Sequence, residues 1–219
     1  MDFSTALLTL LHVLIFVYWL GGDLGAFYGS TFMVDPRRTV VERQMALKIL
    51  NNIDMAPRTM LILALPTGLA LAWMKGWMHI PAWVPTLVTV AALGWLALAW
   101  AVHLDHSGGA GLKKLDIAVR WVALIGLYGV GLAGFFRAMD VPLFIALKMI
   151  VLATCITLGL IVRRQITPLF VAFREMVATG PTPATDAAIA AANGNARRSV
   201  ITLWLLLLLA AYLGIATPL

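Results

Sequence analysis

Charged residues and cysteine are both scarce in this sequence. Only 12% of its 219 residues are Asp, Glu, Lys or Arg, whereas an ordinary soluble domain has about a quarter. The apolar share is 62%, which excludes an ordinary soluble domain and indicates an integral membrane protein. The single cysteine, Cys155, excludes an intramolecular disulfide.

Motifs for nucleotide binding and hydrolysis are also missing. The sequence has no P-loop, no dinucleotide fingerprint, no H-E-x-x-H and no G-x-S-x-G. The net charge of +6 could suggest an acidic partner, but most Lys and Arg flank hydrophobic runs, as membrane topology requires. We therefore expect a lipid bilayer and not a nucleic acid as the main partner.

Six segments are apolar over the roughly 20 residues that a transmembrane helix needs. The connections after the first, third and fifth segments hold thirteen of the sixteen Lys and Arg residues, and those after the second and fourth hold one each. Because basic residues mark the cytoplasmic side, both termini are predicted to lie outside, in the periplasm. The first segment lacks a basic n-region and a cleavage site, so we expect it to be retained. We predict a single all-α transmembrane domain in a bacterial inner membrane, with helices over 3–33, 57–74, 83–102, 117–136, 142–162 and 199–217.

Two of the cytoplasmic connections are long. The connection over residues 35–56 contains apolar residues spaced among charges over 42–55, which predicts an amphipathic helix at the membrane interface. The connection over 164–198 is expected to be a loop. Its part from 178 to 195 is rich in Ala, Thr, Pro and Gly, which predicts a flexible linker with a short helix near 185–192.

The first segment carries two ionisable residues, which are costly in a membrane and usually belong to a site or a pair. His12 and Asp23 are eleven residues apart, which returns them to nearly the same helix face about 16 Å apart. Trp19 shares that face. The alternatives are a neutral His12 that is hydrogen-bonded to a neighbouring helix, and an Asp23 that lies at the interface or pairs with a cytoplasmic arginine.

Lys148 lies inside the fifth segment, about six residues from its outer end at Pro142. It is therefore predicted to lie at a depth similar to that of His12, so that one site near the outer surface could hold both. The alternative is a snorkelling lysine, whose long stem lifts the ammonium to the interface.

A membrane histidine near a cation suits haem b. Neutral imidazole is a usual axial ligand of haem iron, and Lys148 or Arg137 could pair with a propionate. Trp19 and Tyr18 would form walls of the pocket, Met149 could supply a further iron ligand, and Asp23 could transfer protons. Thioether and imidazole groups also select Cu(I), so His12 with Met74, Met78, His79, Met139 and Met149 indicates copper handling as the alternative.

Two further histidines, His103 and His106, enclose Leu104 and Asp105 at the end of the third segment. Their spacing could hold a metal on the cytoplasmic face, although a solvated helix end explains the pattern more simply.

The helices that carry His12 and Lys148 resemble the CopD and HemJ group of bacterial membrane proteins. The similarity lies in LHVLIFVYWLGG over 11–22, in ALKMIVL over 146–152 with LGLIVRRQITP over 158–168, and in the segment from Glu42 to Gly68. HemJ-type proteins are protoporphyrinogen oxidases that bind haem b through a first-helix histidine, which matches His12. Their H-x-K element matches only at Lys148, because Ala146 occupies the histidine position, and they have four spans. CopD-type proteins are linked to copper passage and have more helices.

We therefore expect an inner-membrane haem b protein, possessing His12 as axial ligand, that acts in electron transfer or porphyrin-linked oxidation, with a quinone or a redox protein as partner. Copper transport is the alternative, and a membrane anchor for a larger complex is the third. Gly126, Gly129, Gly131 and Gly134 permit close helix packing, within the chain or with a second copy.

Overall fold

The structure is a computed structural model that describes residues 2–105 and 110–217. These residues form helices and connecting turns. The helices are α1 (Phe3–Val34), α2 (Val40–Ile53), α3 (Met55–Met74), α4 (Trp83–Leu104), α5 (Ala110–Phe135), α6 (Leu143–Gln165), α7 (Thr167–Thr179) and α8 (Pro183–Ala216).

Six stretches of the described chain are long and apolar enough to cross a membrane. They are α1, α2 with α3, α4, α5, α6 with α7, and α8. The predicted all-α bundle of about six transmembrane helices is thereby confirmed, and the chain is a multi-pass membrane protein. Which face of the bundle meets the cytoplasm stays a prediction from the basic connections. We call the face with α2, α7 and these connections the basic face, and the other the opposite face.

The centre of the bundle is formed where α1, α3, α6 and α8 meet. Helix α1 packs against α3 and α8, α6 packs against α5 and α8, and α4 joins α3 to α5. Buried apolar side chains from these helices form one core, including Trp19, Leu61, Ile156 and Leu203. The functional candidates predicted on the first and fifth segments are therefore on neighbouring parts of one bundle.

Two glycines of α5 allow its close contact with α6. A Cβ at Gly131 would lie 3.1 Å from the Ala146 carbonyl oxygen and 3.2 Å from the Ile150 nitrogen, and one at Gly134 would lie 2.9 Å from the Ala146 Cβ. By contrast, Gly126 and Gly129 have no atom within 4 Å of their would-be Cβ positions. The glycine pattern thus serves contact within the chain on one side of α5 and leaves the other side open.

An ion cluster ties α4, α5 and α6 together. Asp116 has a side chain only 2% exposed; it accepts from Arg120 Nε at 3.0 Å and lies 3.6 Å from Arg163 Nη2. Trp95 Nε1 donates to the other carboxylate oxygen at 3.1 Å. Buried charges are stable only when paired and hydrogen-bonded, and here one carboxylate forms ion pairs with two arginines and accepts a hydrogen bond from an indole.

The amphipathic helix predicted within 35–56 is present as α2. Its exposed apolar residues include Val41, Met45 and Ile49, whereas its one fully buried side chain is Arg43, which is 1% exposed. Arg43 Nη1 donates to Asp186 Oδ1 at 2.7 Å, and Nε donates to the Met33 carbonyl at 2.8 Å. Arg43 therefore joins α2 to the ends of α1 and α8.

The predictions of a loop over 164–198 and of a flexible linker over 178–195 are wrong, because α7 and α8 occupy most of this connection. Helix α8 begins at Pro183 and continues without a break to Ala216, so the short helix expected near 185–192 is part of a 34-residue helix. Thr182 forms a capping box with Thr185, which satisfies the first backbone N–H groups. Ile189, which is fully buried, packs with Met176 of α7 in a second apolar core.

Candidate functional site

A cavity of about 490 Å³ lies between α1, α3, α6 and α8, towards the opposite face. Its walls are mostly apolar. The structure brings together in this cavity four residues that the sequence singled out, namely His12, Trp19, Lys148 and Met149. A concave, largely apolar cavity with a few convergent polar groups is the usual form of a small-molecule or cofactor site.

The hydrogen bonding of His12 fixes which ring nitrogen is free. Nδ1 lies 2.9 Å from Thr67 Oγ1. The Thr67 hydroxyl donates its own hydrogen to the carbonyl of Leu63 at 2.7 Å, so it accepts from His12, and Nδ1 carries the ring hydrogen. Nε2 then has its lone pair available, and it has no hydrogen-bond partner among residues 2–105 and 110–217. A hydrogen bond from the second ring nitrogen is how proteins orient a metal-binding imidazole.

Gly68 provides the space for the His12 ring. A Cβ at this position would lie 3.0 Å from Cε1 and 3.6 Å from Nε2. Thr67 and Gly68 directly follow Pro66 on α3. One turn of α3 therefore both orients the imidazole and allows it to lie flush against the helix.

Lys148 extends from α6 towards α8. A Cβ at Gly214 would lie only 2.8 Å from the Lys148 ammonium nitrogen, so the ammonium lies against the backbone of α8. No carboxylate in the described parts of the chain forms an ion pair with Lys148. A cation without an acidic partner in an apolar cavity favours an anionic ligand group there.

A second lysine lines the same cavity and was not predicted as a site residue. Lys75 follows the end of α3, and its ammonium lies 4.7 Å from the centre of the Trp77 ring, in a cation–π contact. Among the described lining residues none is acidic. In the sequence Lys75 is only the single basic residue of the connection after the second segment, because the sequence does not show that the turn after α3 folds back towards α6.

Three predicted residues do not line the cavity. Tyr18 is 58% exposed on the outside of α1, and Arg137 lies in the exposed turn between α5 and α6 with a positive φ of 57°. Asp23 lies further along α1, where the indoles of Trp19 and Trp204 approach its carboxyl group but its buried Oδ2 makes no hydrogen bond to a described residue. A carboxylate in such a position is costly unless it is protonated or solvated, which suits a group that holds a proton.

The other histidines and methionines are dispersed. Met78 is buried in an apolar cluster near the opposite face, while His79 beside it is exposed. His103 lies on the basic face, and His106 lies outside the described residues. Cys155, by contrast, lines the cavity with His12 and Met149.

Comparison of this chain with protein-family models, curated proteins and solved structures found no match. Its function therefore has to be argued from the geometry and chemistry of the cavity.

Proposed function

We propose that this protein binds haem b in the cavity, with His12 Nε2 as an axial ligand of the iron, and that it acts in electron transfer or in a porphyrin-linked oxidation at a bacterial inner membrane. The observation that carries the proposal is the composition of the cavity: one oriented imidazole, two ammonium groups and no described acid, within apolar walls.

Each of these groups suits one part of haem b. Its iron takes a neutral imidazole nitrogen as ligand, and the Thr67 bond leaves His12 Nε2 in that form. Its two propionates are anions, and Lys148 and Lys75 supply two cations. Its apolar macrocycle needs apolar contacts, which Trp19 and the aliphatic lining supply. Haem b, when bound, supplies one-electron chemistry at iron, and the chain's residues supply binding, orientation and charge.

The remaining residues suggest how electrons and protons would be handled. Cations near a redox group favour its more negative, reduced state, and the ammonium groups of Lys148 and Lys75 both line the cavity. Asp23, which has one buried carboxylate oxygen and lies beyond the cavity on the same helix as His12, can hold a proton that accompanies the electron. The electron partner would be a small membrane-soluble carrier of the quinone class or a redox protein.

The test is the absorption spectrum of the detergent-purified protein, oxidised and then reduced with dithionite, after expression with haem available. We expect a Soret band and sharp reduced α and β bands in the wild type and in His79→Ala, the exposed control histidine. We expect these bands to be lost or strongly shifted in His12→Ala. A colourless wild type, or equal spectra for the two variants, would refute the assignment.

Copper handling is the second candidate, because His12, Met149 and Cys155 all line the cavity and all three suit Cu(I). Metal analysis of the purified protein separates the two functions. Copper in the absence of a Soret band, lost in His12→Ala and retained in His79→Ala, would support transport or storage of copper instead of haem binding.

A further inference from the structure

A second cavity, of about 670 Å³, opens on the basic face between α2, α3, α4 and α7. Three cationic side chains line it: Lys48 from α2, Arg58 from α3 and Arg174 from α7. Among its described lining residues none is acidic. It shares no described residue with the cavity around His12.

The cations of this cavity are only partly neutralised. Arg58 forms an ion pair with Asp54. Arg174 Nε donates to the Phe170 carbonyl at 3.3 Å, which anchors its guanidinium without neutralising it. Lys48 forms no ion pair within the described chain. The pocket therefore carries an excess of about two positive charges, which attracts anions.

The uncharged lining residues add hydrogen-bond donors. The amides of Gln44, Asn51 and Asn52 and the ring of His103 lie around the same space. A guanidinium, an ammonium and several N–H donors together match the oxygens of a phosphate group. A small carboxylate would use fewer of these donors.

The position of the pocket places it at the level of lipid headgroups. Arg58 lies in the first turn of α3 and His103 in the last turn of α4, so the pocket lies at the basic ends of two helices that are apolar enough to cross a membrane. Leu47 and Val177 line the pocket next to its cations. A ligand with a phosphate and an adjoining apolar part would satisfy both kinds of lining.

We propose that this pocket binds a phosphate-bearing anion, supplied either by the headgroup of an acidic phospholipid or by a soluble phosphate compound. Its position at the interface and its apolar rim favour the lipid. The proposal is independent of haem or copper in the other cavity.

The test compares the wild type with Lys48→Gln/Arg174→Gln and with a control, Lys113→Gln/Lys114→Gln. The control removes the same two charges from exposed positions on α5 of the same face, outside the pocket. In the lipid arm, native mass spectrometry measures binding of phosphatidylglycerol, with phosphatidylcholine as the neutral reference. In the soluble arm, calorimetry measures binding of inorganic pyrophosphate in a detergent free of acidic lipid.

We expect the dissociation constant for phosphatidylglycerol to rise about tenfold in the pocket variant and less than about twofold in the control. Loss of pyrophosphate binding in the pocket variant alone, without a preference for phosphatidylglycerol, would assign the site to a soluble phosphate. Equal behaviour of the two variants in both arms would overturn the proposal. Because the changed side chains are exposed, both variants should fold, and an unchanged circular dichroism melt checks this.

Discussion

The contact between α5 and α6 yields the most quantitative prediction, which concerns Gly131→Ala. The added Cβ would lie 2.8 Å from a side-chain carbon of Ile150, and 3.1 Å and 3.2 Å from two backbone atoms of α6. Overpacking of this kind costs about 1–3 kcal/mol. The upper part of that range applies, because backbone atoms cannot rotate away as a side chain can. Replacing Gly by Ala in a helix returns at most about 1 kcal/mol, so we expect a net destabilisation of about 1–2 kcal/mol.

The matched control is Gly129→Ala, two residues earlier on the same helix. Its Cβ meets no atom within 4 Å, so only the gain in helix propensity remains, and stability should be unchanged or higher by up to about 1 kcal/mol. The two variants should therefore differ by about 2 kcal/mol. Unfolding in mixed micelles of increasing SDS content, followed by circular dichroism, measures this difference.

Equal unfolding midpoints for Gly131→Ala and Gly129→Ala would refute the reasoning, because α5 and α6 would then not approach as closely as described. Gly134→Ala is an independent repeat of the test, since its Cβ would lie 2.9 Å from a carbon of Val141. Gly134→Ala should therefore be destabilised, as Gly131→Ala is.

Three further predictions concern other parts of the bundle. Asp116→Asn should destabilise the protein by about 3 kcal/mol in the same unfolding assay, because it leaves two arginines with no counter-charge; an unchanged midpoint would show that water already screens them. Ile189→Ala should lower the free energy of unfolding by about 2–5 kcal/mol, because it opens a cavity between α7 and α8. Faster hydrogen exchange confined to these two helices would reveal the loss, whereas an unchanged exchange pattern would contradict the packing described for Ile189. Gly68→Ala should displace the His12 ring and lower the haem content of the purified protein. Gly21→Ala, whose added Cβ has no atom within 4 Å, should leave the haem content unchanged. Equal losses of haem in the two variants would contradict the described role of Gly68.

Hydropathy alone was sufficient to predict the transmembrane helices, because about 20 consecutive apolar residues have few other uses. It failed over 178–195, where no long apolar run exists. There the helix is stabilised by tertiary contacts such as that of Ile189 with Met176, and small residues that suggest a linker are also compatible with a packed helix. A composition rule cannot distinguish the two cases.

The candidate site was predictable only where counting residues along a helix gives depth. His12 and Lys148 were matched in that way, and they do line one cavity. Thr67, Gly68 and Gly214 could not be found, because their roles arise from contacts between helices far apart in sequence. Lys75 needed knowledge of the turn after α3. The burial of Arg43 could not be predicted without the fold either, since a charged residue on an amphipathic helix is normally assigned to its solvent-exposed side.

Helix α8 links the two sides of the membrane mechanically. At one end Gly214 lies against the ammonium of Lys148, and at the other Asp186 binds Arg43. Asp186 and Gly214 are 28 positions apart on α8, so about 42 Å of unbroken helix separates them, and a helix resists bending far better than a loop would. A ligand that separates Lys148 from Gly214 needs only a new rotamer of the long lysine side chain. Any displacement of α8 itself, by contrast, would be carried along the rigid helix to the Arg43 ion pair at its other end.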